Sequence, residues 1–354
     1  MPLEINSLNY FKLYTNCIPV KGYKQSIIYD LQRNHFYYIS NIAFDFLLKL
    51  ENNYIEKVLH EYDTELSNIL IDFLDSLKTK GYGFFCNDIG QYPKLNLEWD
   101  IPCLINNAII EWQSLDWNND LLDDLSTLGC SSIALISEKC LTIELLEQIK
   151  KATDYKRFTA IQIICKFCNE IDFSSILSFC DINKIFSHII LQNTNELKII
   201  NQSKPVIIKS NVFNTLTSLM HPIYFNVDIE LFTESQHFNT YFNKKIYVNK
   251  NREIKNAPEC STIFGPYLNI TDLINTIKKP EFQIYWNIKK DIIEHCCVCE
   301  YRYMCTDNRI PIKSNDISWY FLSDCNYNPY IARWKHEVDY KTIKSFKHKS
   351  ILYF

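Results

Sequence analysis

The sequence predicts an α/β protein built from three successive parts, and three patterns lead to this prediction. Strand-like segments followed by helical apolar stripes fill residues 1–92, and strand-like and helix-like segments then alternate through residues 93–240. A cluster of cysteines marks residues 241–354. Because apolar residues recur at every second position in strands and at every third or fourth in helices, the change of period separates the elements.

The first part predicts a small module of three strands followed by helices, which is the order of a winged-helix-like fold. Residues 11–20, 26–31 and 35–39 are rich in β-branched and aromatic side chains, which favour strands. Asp63 or Thr64 can cap the helix that carries the apolar stripe, and we expect Gly81 and Gly83 to end it.

The apolar stripe of this last helix has two interpretations. The plain interpretation is core packing. The functional interpretation is that part of the stripe lines a groove beside the third strand, since a sheet edge next to a helix can accept an extended peptide as an added strand. The residues that would bind such a peptide are Phe36, Tyr37, Tyr38, Ile39, Leu70, Phe73, Leu74 and Leu77.

The middle part alternates between strands and helices, which predicts a mostly parallel sheet, either open or part of a barrel. Strands are predicted at residues 104–112, 132–136, 160–167, 188–191, 206–209 and 222–227. Helices are predicted at residues 121–128, 142–151 and 173–179. Beyond residue 240, residues 245–248 and 252–254 predict a hairpin, and a helix begins near Thr271.

Composition and charge exclude several classes of protein. The chain has 354 residues, of which 47% are apolar, so it can bury a sizeable core. Its net charge of −4 and the lack of a long basic run argue against nucleic-acid binding. No apolar run approaches the roughly 18 to 20 residues of a membrane span, and the N-terminus does not resemble a signal peptide. We therefore expect a cytoplasmic protein whose 14 cysteines are metal ligands or buried thiols rather than disulfides.

A cluster of cysteines near the end of the chain is its most specific feature. Cys296, Cys299 and Cys305 have C-x2-C-x5-C spacing, and Cys325 supplies a fourth thiol. Soft thiolates at short spacing are typical of iron–sulfur clusters and of tetrahedral zinc, because a tight turn can direct two sulfurs to one centre. The alternative is a set of ordinary buried thiols.

This cysteine segment resembles the SPASM domain, the auxiliary-cluster domain of many radical-SAM enzymes that modify ribosomal peptides. The likeness is to the SPASM-domain peptide maturases of grasp-with-spasm gene cassettes, in which the maturase accompanies an ATP-grasp ligase and a short precursor peptide. The cysteine segment is the highly specific part of the match. The matching residues are Lys290 and Asp291, residues 296–307 and 325–329, and upstream residues 17–22, 30–33 and 105–110.

The resemblance implies a precursor-peptide recognition element at the N-terminus and a partial radical-SAM barrel in the middle. The barrel lacks the C-x3-C-x2-C motif of the family's catalytic cluster, because residues 113–119 replace it and no cysteine lies between Cys103 and Cys130. We therefore expect no S-adenosylmethionine chemistry. Asn308 stands where a first auxiliary cluster needs a cysteine, and Cys260 is at best one remaining ligand of that cluster.

The resemblance thus implies one [4Fe-4S] cluster, with zinc as the alternative. Its ligands would be Cys296, Cys299, Cys305 and Cys325. The first expected function is a maturation protein that binds the leader of a precursor peptide and supports a partner ATP-grasp ligase. The second is an iron–sulfur oxidoreductase that acts directly on the peptide, through the cluster or through Cys165 and Cys168. The third is a zinc-stabilised scaffold.

Overall fold

The computed structural model describes residues 9–194, 198–201, 205–209, 222, 225–314 and 318–346, without the side chains of residues 115–117. These residues form a mixed α/β fold around a central, mostly parallel sheet, as the sequence predicts. Nine α-helices occur in this described part. None of them is both long and apolar enough to cross a lipid bilayer.

The N-terminal module combines two small sheets with three helices. Its strands are β1 (Tyr10–Leu13), β2 (Cys17–Val20), β3 (Ser26–Asp30), β4 (His35–Ile39) and β5 (Gly83–Cys86). Its helices are α1 (Asn41–Leu50), α2 (Ile55–Leu59) and α3 (Thr64–Thr79). Strands β2, β3 and β4 form an antiparallel sheet in that order, and β1 pairs with β5. β4 therefore lies at the edge of its sheet.

The predicted cap of α3 is confirmed, since the Asp63 carboxylate accepts a hydrogen bond of 2.8 Å from the backbone N–H of Leu66. Gly81, with a φ of +73°, ends the helix as expected. Gly83 instead begins β5. A side chain would not fit at this position, because a Cβ there would lie 2.5 Å from the ring of Phe11 on the facing strand β1. Helix α1 is absent from the predicted elements, because its apolar residues run almost continuously and blur the helical period.

The central sheet has eight strands in the described residues. They are β6 (Asn107–Glu111), β7 (Ser132–Cys140), β8 (Ala160–Lys166), β9 (Phe186–Gln192), β10 (Lys198–Asn201), β11 (Val206–Lys209), β12 (Lys245–Val248) and β13 (Ile254–Lys255). Their order is β10-β11-β9-β8-β7-β6-β12-β13, with parallel pairing from β11 to β12 and antiparallel pairing at both edges. The predicted hairpin is β12 and β13, so the sheet continues past residue 240.

Six helices complete the described fold. They are α4 (Leu115–Thr127), α5 (Ile143–Thr153), α6 (Phe173–Ile182), α7 (Ile229–His237), α8 (Ile270–Ile277) and α9 (Pro280–Gln283). Thr142 caps α5, because its hydroxyl accepts a 3.2 Å bond from Leu145 N–H. Of the predicted strand at residues 222–227, residues 223 and 224 lie outside the described residues, and residues 225–227 form no strand.

The C-terminal part is mostly loop and turn. Its short strands are β14 (Ile312–Lys313), β15 (Trp319–Tyr320), β16 (Tyr327–Asn328) and β17 (Arg333–Trp334). A shared apolar core joins this part to the outer face of the β2-β3-β4 sheet, and it includes Ile27 and Tyr29 from β3 and Tyr301 and Trp334 from the C-terminal part. The N-terminal module and the cysteine segment therefore pack directly on each other.

Candidate metal centre

The four cysteines that the sequence singles out line one cavity of about 230 Å³. Cys296, Cys299 and Cys305 come from one segment, which we call the cysteine loop (residues 296–305), and Cys325 precedes β16. Cys297 is not among the residues that line the cavity. A water molecule takes up about 30 Å³ of liquid, so the cavity can accommodate a group much larger than one ion.

Backbone hydrogen bonds shape the two segments that carry the cysteines. The N–H of Cys299 donates to the carbonyl of Cys296 over 3.0 Å, which closes a tight turn between them. His295, just before this turn, has a φ of +66°. On the other segment, the N–H of Tyr327 donates to Sγ of Cys325 over 3.4 Å. A hydrogen bond to sulfur favours the thiolate, which is the form that binds metals.

Two buried charged residues, Lys290 and Asp307, line the same cavity together with the partly buried Arg309. Arg309 binds the Asp307 carboxylate twice, with 2.6 Å from Nη2 to Oδ2 and 3.0 Å from Nε to Oδ1. Lys290 Nζ lies 3.5 Å from Asp307 Oδ2. Burial would raise the pKa of Asp307, but the charges of Lys290 and Arg309 outweigh burial and lower this pKa to about 2. Two cations thus face one carboxylate beside the four cysteines. With Arg302, Lys344, Glu294 and Asp324, which also line the cavity, four positive side chains stand against three negative ones, so a small excess of positive charge remains.

This excess charge fits an anionic group bound by the cysteines. Lys290 is 2% exposed, and its Nζ has no hydrogen-bond partner among the described residues. Its ion-pair partner, the Asp307 carboxylate, is shared with Arg309, so a further anionic group would stabilise this ammonium. Burial also raises the pKa of the Cys305 thiol to about 12, although Lys290 opposes this rise. A metal that displaces the thiol protons creates an anionic metal–thiolate group, which would give Lys290 both a counter-charge and sulfur acceptors.

The arrangement of possible metal ligands around a single ion can also be compared across the fold. In the described part of the chain, no group of three or more His, Cys, Asp or Glu side chains is arranged to hold a metal ion. The shared cavity is the observation that groups the four cysteines. The sequence reasoning gave Asp307 and Arg309 no role at the site, because an acid and a base two positions apart give no periodic signal.

The predicted peptide-binding residues of β4 divide between two faces of the sheet, as alternation along a strand requires. Tyr37 and Ile39 pack on the module's own core. Phe36 packs on the core shared with the C-terminal part. The hydroxyl of Tyr38 lies 2.6 Å from that of Tyr301 in the cysteine loop. The side chains of β4 therefore point to the two faces of the sheet, and only its backbone groups are directed outward at the edge.

The predicted residues of α3 lie mainly inside the module. Leu70, Leu74 and Leu77 are 3%, 1% and 0% exposed, which agrees with the core-packing interpretation of the stripe. Phe73 is only partly buried. The end of α3 lies beside β4, because Lys80 Nζ donates to the hydroxyl of Tyr37 over 2.7 Å.

The carboxyl ends of the parallel strands, where β/α folds usually bind ligands, are bonded within the chain. Glu111, at the end of β6, accepts a 2.8 Å bond from Lys250 N–H and a second bond from the hydroxyl of Tyr247. In the loop that follows, Gln113 N–H donates a 3.1 Å bond to Oδ1 of Asn118 in α4. The side chains at this edge thus serve to hold neighbouring strands and loops together.

A disulfide between Cys140 and Cys168 corrects the expectation that the cysteines form no disulfides. Cys140 ends β7 and Cys168 follows β8, and these parallel neighbours end side by side. Their separation of 28 residues conceals the pairing in the sequence. Cys165 is the other member of the C-x2-C motif. It is a free thiol buried in the core of the sheet, because Cys168 is bonded to Cys140 instead.

The residues that the resemblance assigns to a first auxiliary cluster take part in a polar network. Asn308 Nδ2 donates to Glu259 Oε1 over 2.6 Å, and the hydroxyl of Tyr241 donates to Glu259 Oε2 over 3.0 Å. The Lys245 ammonium lies 3.6 Å from the centre of the Tyr241 ring. Cys260 adjoins Glu259 and is buried.

Comparisons with known proteins do not identify the chain. No protein-family profile matches it, and no curated protein matches it. Among solved structures, the chain is similar to the crystal structure of Streptococcus suis SuiB, with 9% sequence identity over 85% of this chain and 94% of that one. The TM-score of 0.25 is too low for this similarity to support an argument about fold or function.

Proposed function

We propose that the chain is a maturation protein for a ribosomally synthesised peptide, which binds the precursor's leader and supports modification by a partner ATP-grasp ligase. In this proposal the N-terminal module is a winged-helix-like recognition element, and the central sheet is a degenerate radical-SAM-like partial barrel. The C-terminal part is a SPASM domain. The protein acts in the cytoplasm without S-adenosylmethionine chemistry and without contacts to nucleic acid or membranes.

The edge of β4 is the observation that carries this proposal. Within the described residues β4 pairs with β3 alone, so alternate residues of β4 direct their N–H and C=O groups away from the sheet. An extended leader can bind those groups as an added strand. Phe73 is the one α3 residue of the predicted groove that keeps accessible surface for a peptide side chain, while Leu70, Leu74 and Leu77 support the strand from the core.

The cavity supports a [4Fe-4S] cluster as the bound group. Its four thiols match the ligand number of such a cluster, and its excess positive charge matches an anionic occupant. A zinc ion held by the same four thiolates is the alternative occupant. Four thiolates leave no iron open to substrate, so the cluster's role is structural or electron transfer.

A peptide-binding titration tests the proposal. A fluorescent peptide that spans the leader half of the precursor encoded beside this chain is expected to bind with micromolar or tighter affinity. Substituting Phe73→Ser should weaken binding about tenfold, because it removes a large apolar contact. The matched control is Leu48→Ser on α1, since Leu48 is 51% exposed and is not among the predicted groove residues. Absence of leader binding, with and without the ligase, would remove the proposal.

A second candidate, an iron–sulfur oxidoreductase acting on the peptide itself, is favoured by the Cys140–Cys168 disulfide at the carboxyl edge of the sheet. Such a disulfide can take two electrons and two protons from a substrate and become two thiols. Incubating precursor and chain without ligase distinguishes the candidates, because only the oxidoreductase changes the mass of the peptide.

A further inference from the structure

The β2-β3-β4 sheet is bonded to the same loop that carries three of the four cysteines. The backbone N–H of Tyr23 donates to the carbonyl of Val298 over 2.8 Å. From the other side, Nη1 of Arg302 donates to the carbonyl of Lys21 over 2.7 Å. Val298 and Arg302 flank Cys299, so the chain on both sides of a predicted ligand is tied to the N-terminal sheet.

Side chains extend this contact across the sheet. Tyr29 of β3 donates from its hydroxyl to the carbonyl of Glu300 over 2.8 Å, and Gln25 Nε2 donates to Glu300 Oε1 over 2.8 Å. Glu300 is fully buried. Gly22 makes the close approach feasible, because a Cβ there would lie 2.8 Å from Glu300 Oε2. The loop therefore packs against the sheet with little room for adjustment.

The contact reaches β4, the strand with the proposed peptide-binding edge. Tyr301 is 3% exposed, and its hydroxyl shares a 2.6 Å hydrogen bond with the hydroxyl of Tyr38. The rings of Phe36 and Tyr301 meet edge to face, with 5.9 Å between their centres. Because Tyr37 and Ile39 face the opposite side, β4 lies between the module's core and the cysteine loop.

The cysteine loop has no helix or strand of its own, so its order depends on its contacts with the N-terminal sheet and on any group that its cysteines bind. Its residues form turns rather than helix or strand. In small metal-binding loops, the free energy of metal binding is largely the free energy of folding. A loop ordered by its metal group presents Tyr301 in one position, and a loop without that group loses this constraint.

We propose that Tyr301 is a positioning residue that transmits metal loading to β4, so that the edge strand is held in its pairing geometry only when the four cysteines bind their metal group. The inference rests on the proposed function where it concerns peptide binding. The link between metal loading and the order of β4 concerns this chain alone and can be tested without a peptide.

Hydrogen exchange followed by mass spectrometry measures that link. The full-length chain is compared in the iron-loaded form and after iron removal by a chelator. Amides of residues 35–39 are expected to exchange about tenfold faster after removal, which corresponds to the loss of about one hydrogen bond's worth of stabilisation. Amides of β8, in the centre of the main sheet, serve as an internal control and should not change. Equal exchange of residues 35–39 in both forms would overturn the proposal.

Conservative variants assign the effect to Tyr301. Tyr301→Phe and Tyr38→Phe each remove the shared hydrogen bond from one side, and each should keep its iron while β4 exchange rises roughly three- to tenfold in the loaded form. The double variant should behave like either single variant, because both remove the same interaction. Tyr303→Phe is the matched control, since Tyr303 lies in the same loop but donates to Asp291 instead. An equal effect of Tyr303→Phe would reject the assignment to Tyr301.

Leader titration of both forms separates this inference from the proposed function. If β4 exchange depends on iron but no leader binds, the proposed function fails and the positioning role stands. If the leader binds equally to both forms and β4 exchange does not change, the positioning role fails and the proposed function stands.

Discussion

The cavity in the C-terminal part and the carboxyl edge of the central sheet are the two places where this fold could hold a reactive group, and they are built in opposite ways. Four cysteines and a buried ammonium line the cavity. At the sheet edge, Glu111 and Asn118 accept hydrogen bonds from nearby residues of the chain. The comparison teaches that the polar side chains at the end of β6 stabilise the fold, whereas the cavity presents thiols and charged side chains to a possible bound group.

Loss of one cysteine ligand is the strongest way to break this comparison. We expect Cys299→Ser to abolish stoichiometric metal binding and to lower the free energy of unfolding by about 4 kcal/mol or more, because a lost metal removes the energy that orders the loop. Metal analysis and chemical unfolding measure both effects. Cys297→Ser is the matched control and should keep its metal. If Cys299→Ser keeps the same metal content per chain as the unchanged protein, Cys299 is not a metal ligand and the comparison fails.

Substitution of the buried ammonium tests the charge argument at the cavity. Lys290→Met should leave the metal-free protein folded, because it removes a buried cation that lacks hydrogen-bond partners among the described residues. In the loaded protein it should lower the reduction potential by tens of millivolts, since the reduced, more negative cluster loses a neighbouring cation. The control is Lys344→Met, because Lys344 lines the cavity but is exposed and screened by water. Equal shifts in both variants would contradict the argument.

A buried carboxyl beside the start of β12 should make stability depend on pH. Burial raises the pKa of Glu234 from 4.5 to about 7, although Asn243 donates a hydrogen bond to it. The folded state then holds this proton more tightly than the unfolded state, so stability falls as pH rises from about 4.5 to 7. We expect Glu234→Gln to flatten this decline and to gain about 2 kcal/mol at neutral pH. Unfolding curves at several pH values measure it, and an unchanged slope would count against the burial argument.

The smallest effect is expected at the sheet edge. Glu111→Gln should cost about 1 kcal/mol, since the amide can replace only part of the bonding to Lys250 and Tyr247. Metal content should not change. Glu147→Gln, on the exposed face of α5, should be neutral in both respects. Loss of bound metal in Glu111→Gln would show that the edge still contributes to a metal site.

Elements with a clear period were predictable from the sequence, and contacts between distant segments were not. The strand His35–Ile39 and the cap at Asp63 follow from local patterns, and the structure confirms both. β12 joins the parallel sheet beside β6, far away in the chain, and no local pattern shows that pairing. The disulfide of Cys140 was missed for the same reason.

The candidate site divides in the same way. The spacing of the cysteines was enough to predict which four of them share a site, and these four line the cavity. The excess positive charge could not be predicted, because Lys290 approaches Asp307 and Arg309 only after folding. The bond between Tyr38 and Tyr301 spans 263 residues of sequence. Such contacts depend on how the parts pack, and a single sequence carries no periodic trace of them.

Metal and sulfide analysis of the anaerobically purified chain tests the central claim most directly. The account predicts a brown protein with about four irons and about four acid-labile sulfides per chain, because four cysteines would bind one cluster. Colourless protein with about one zinc and no sulfide would contradict the cluster, and protein that binds neither metal would contradict the metal centre itself.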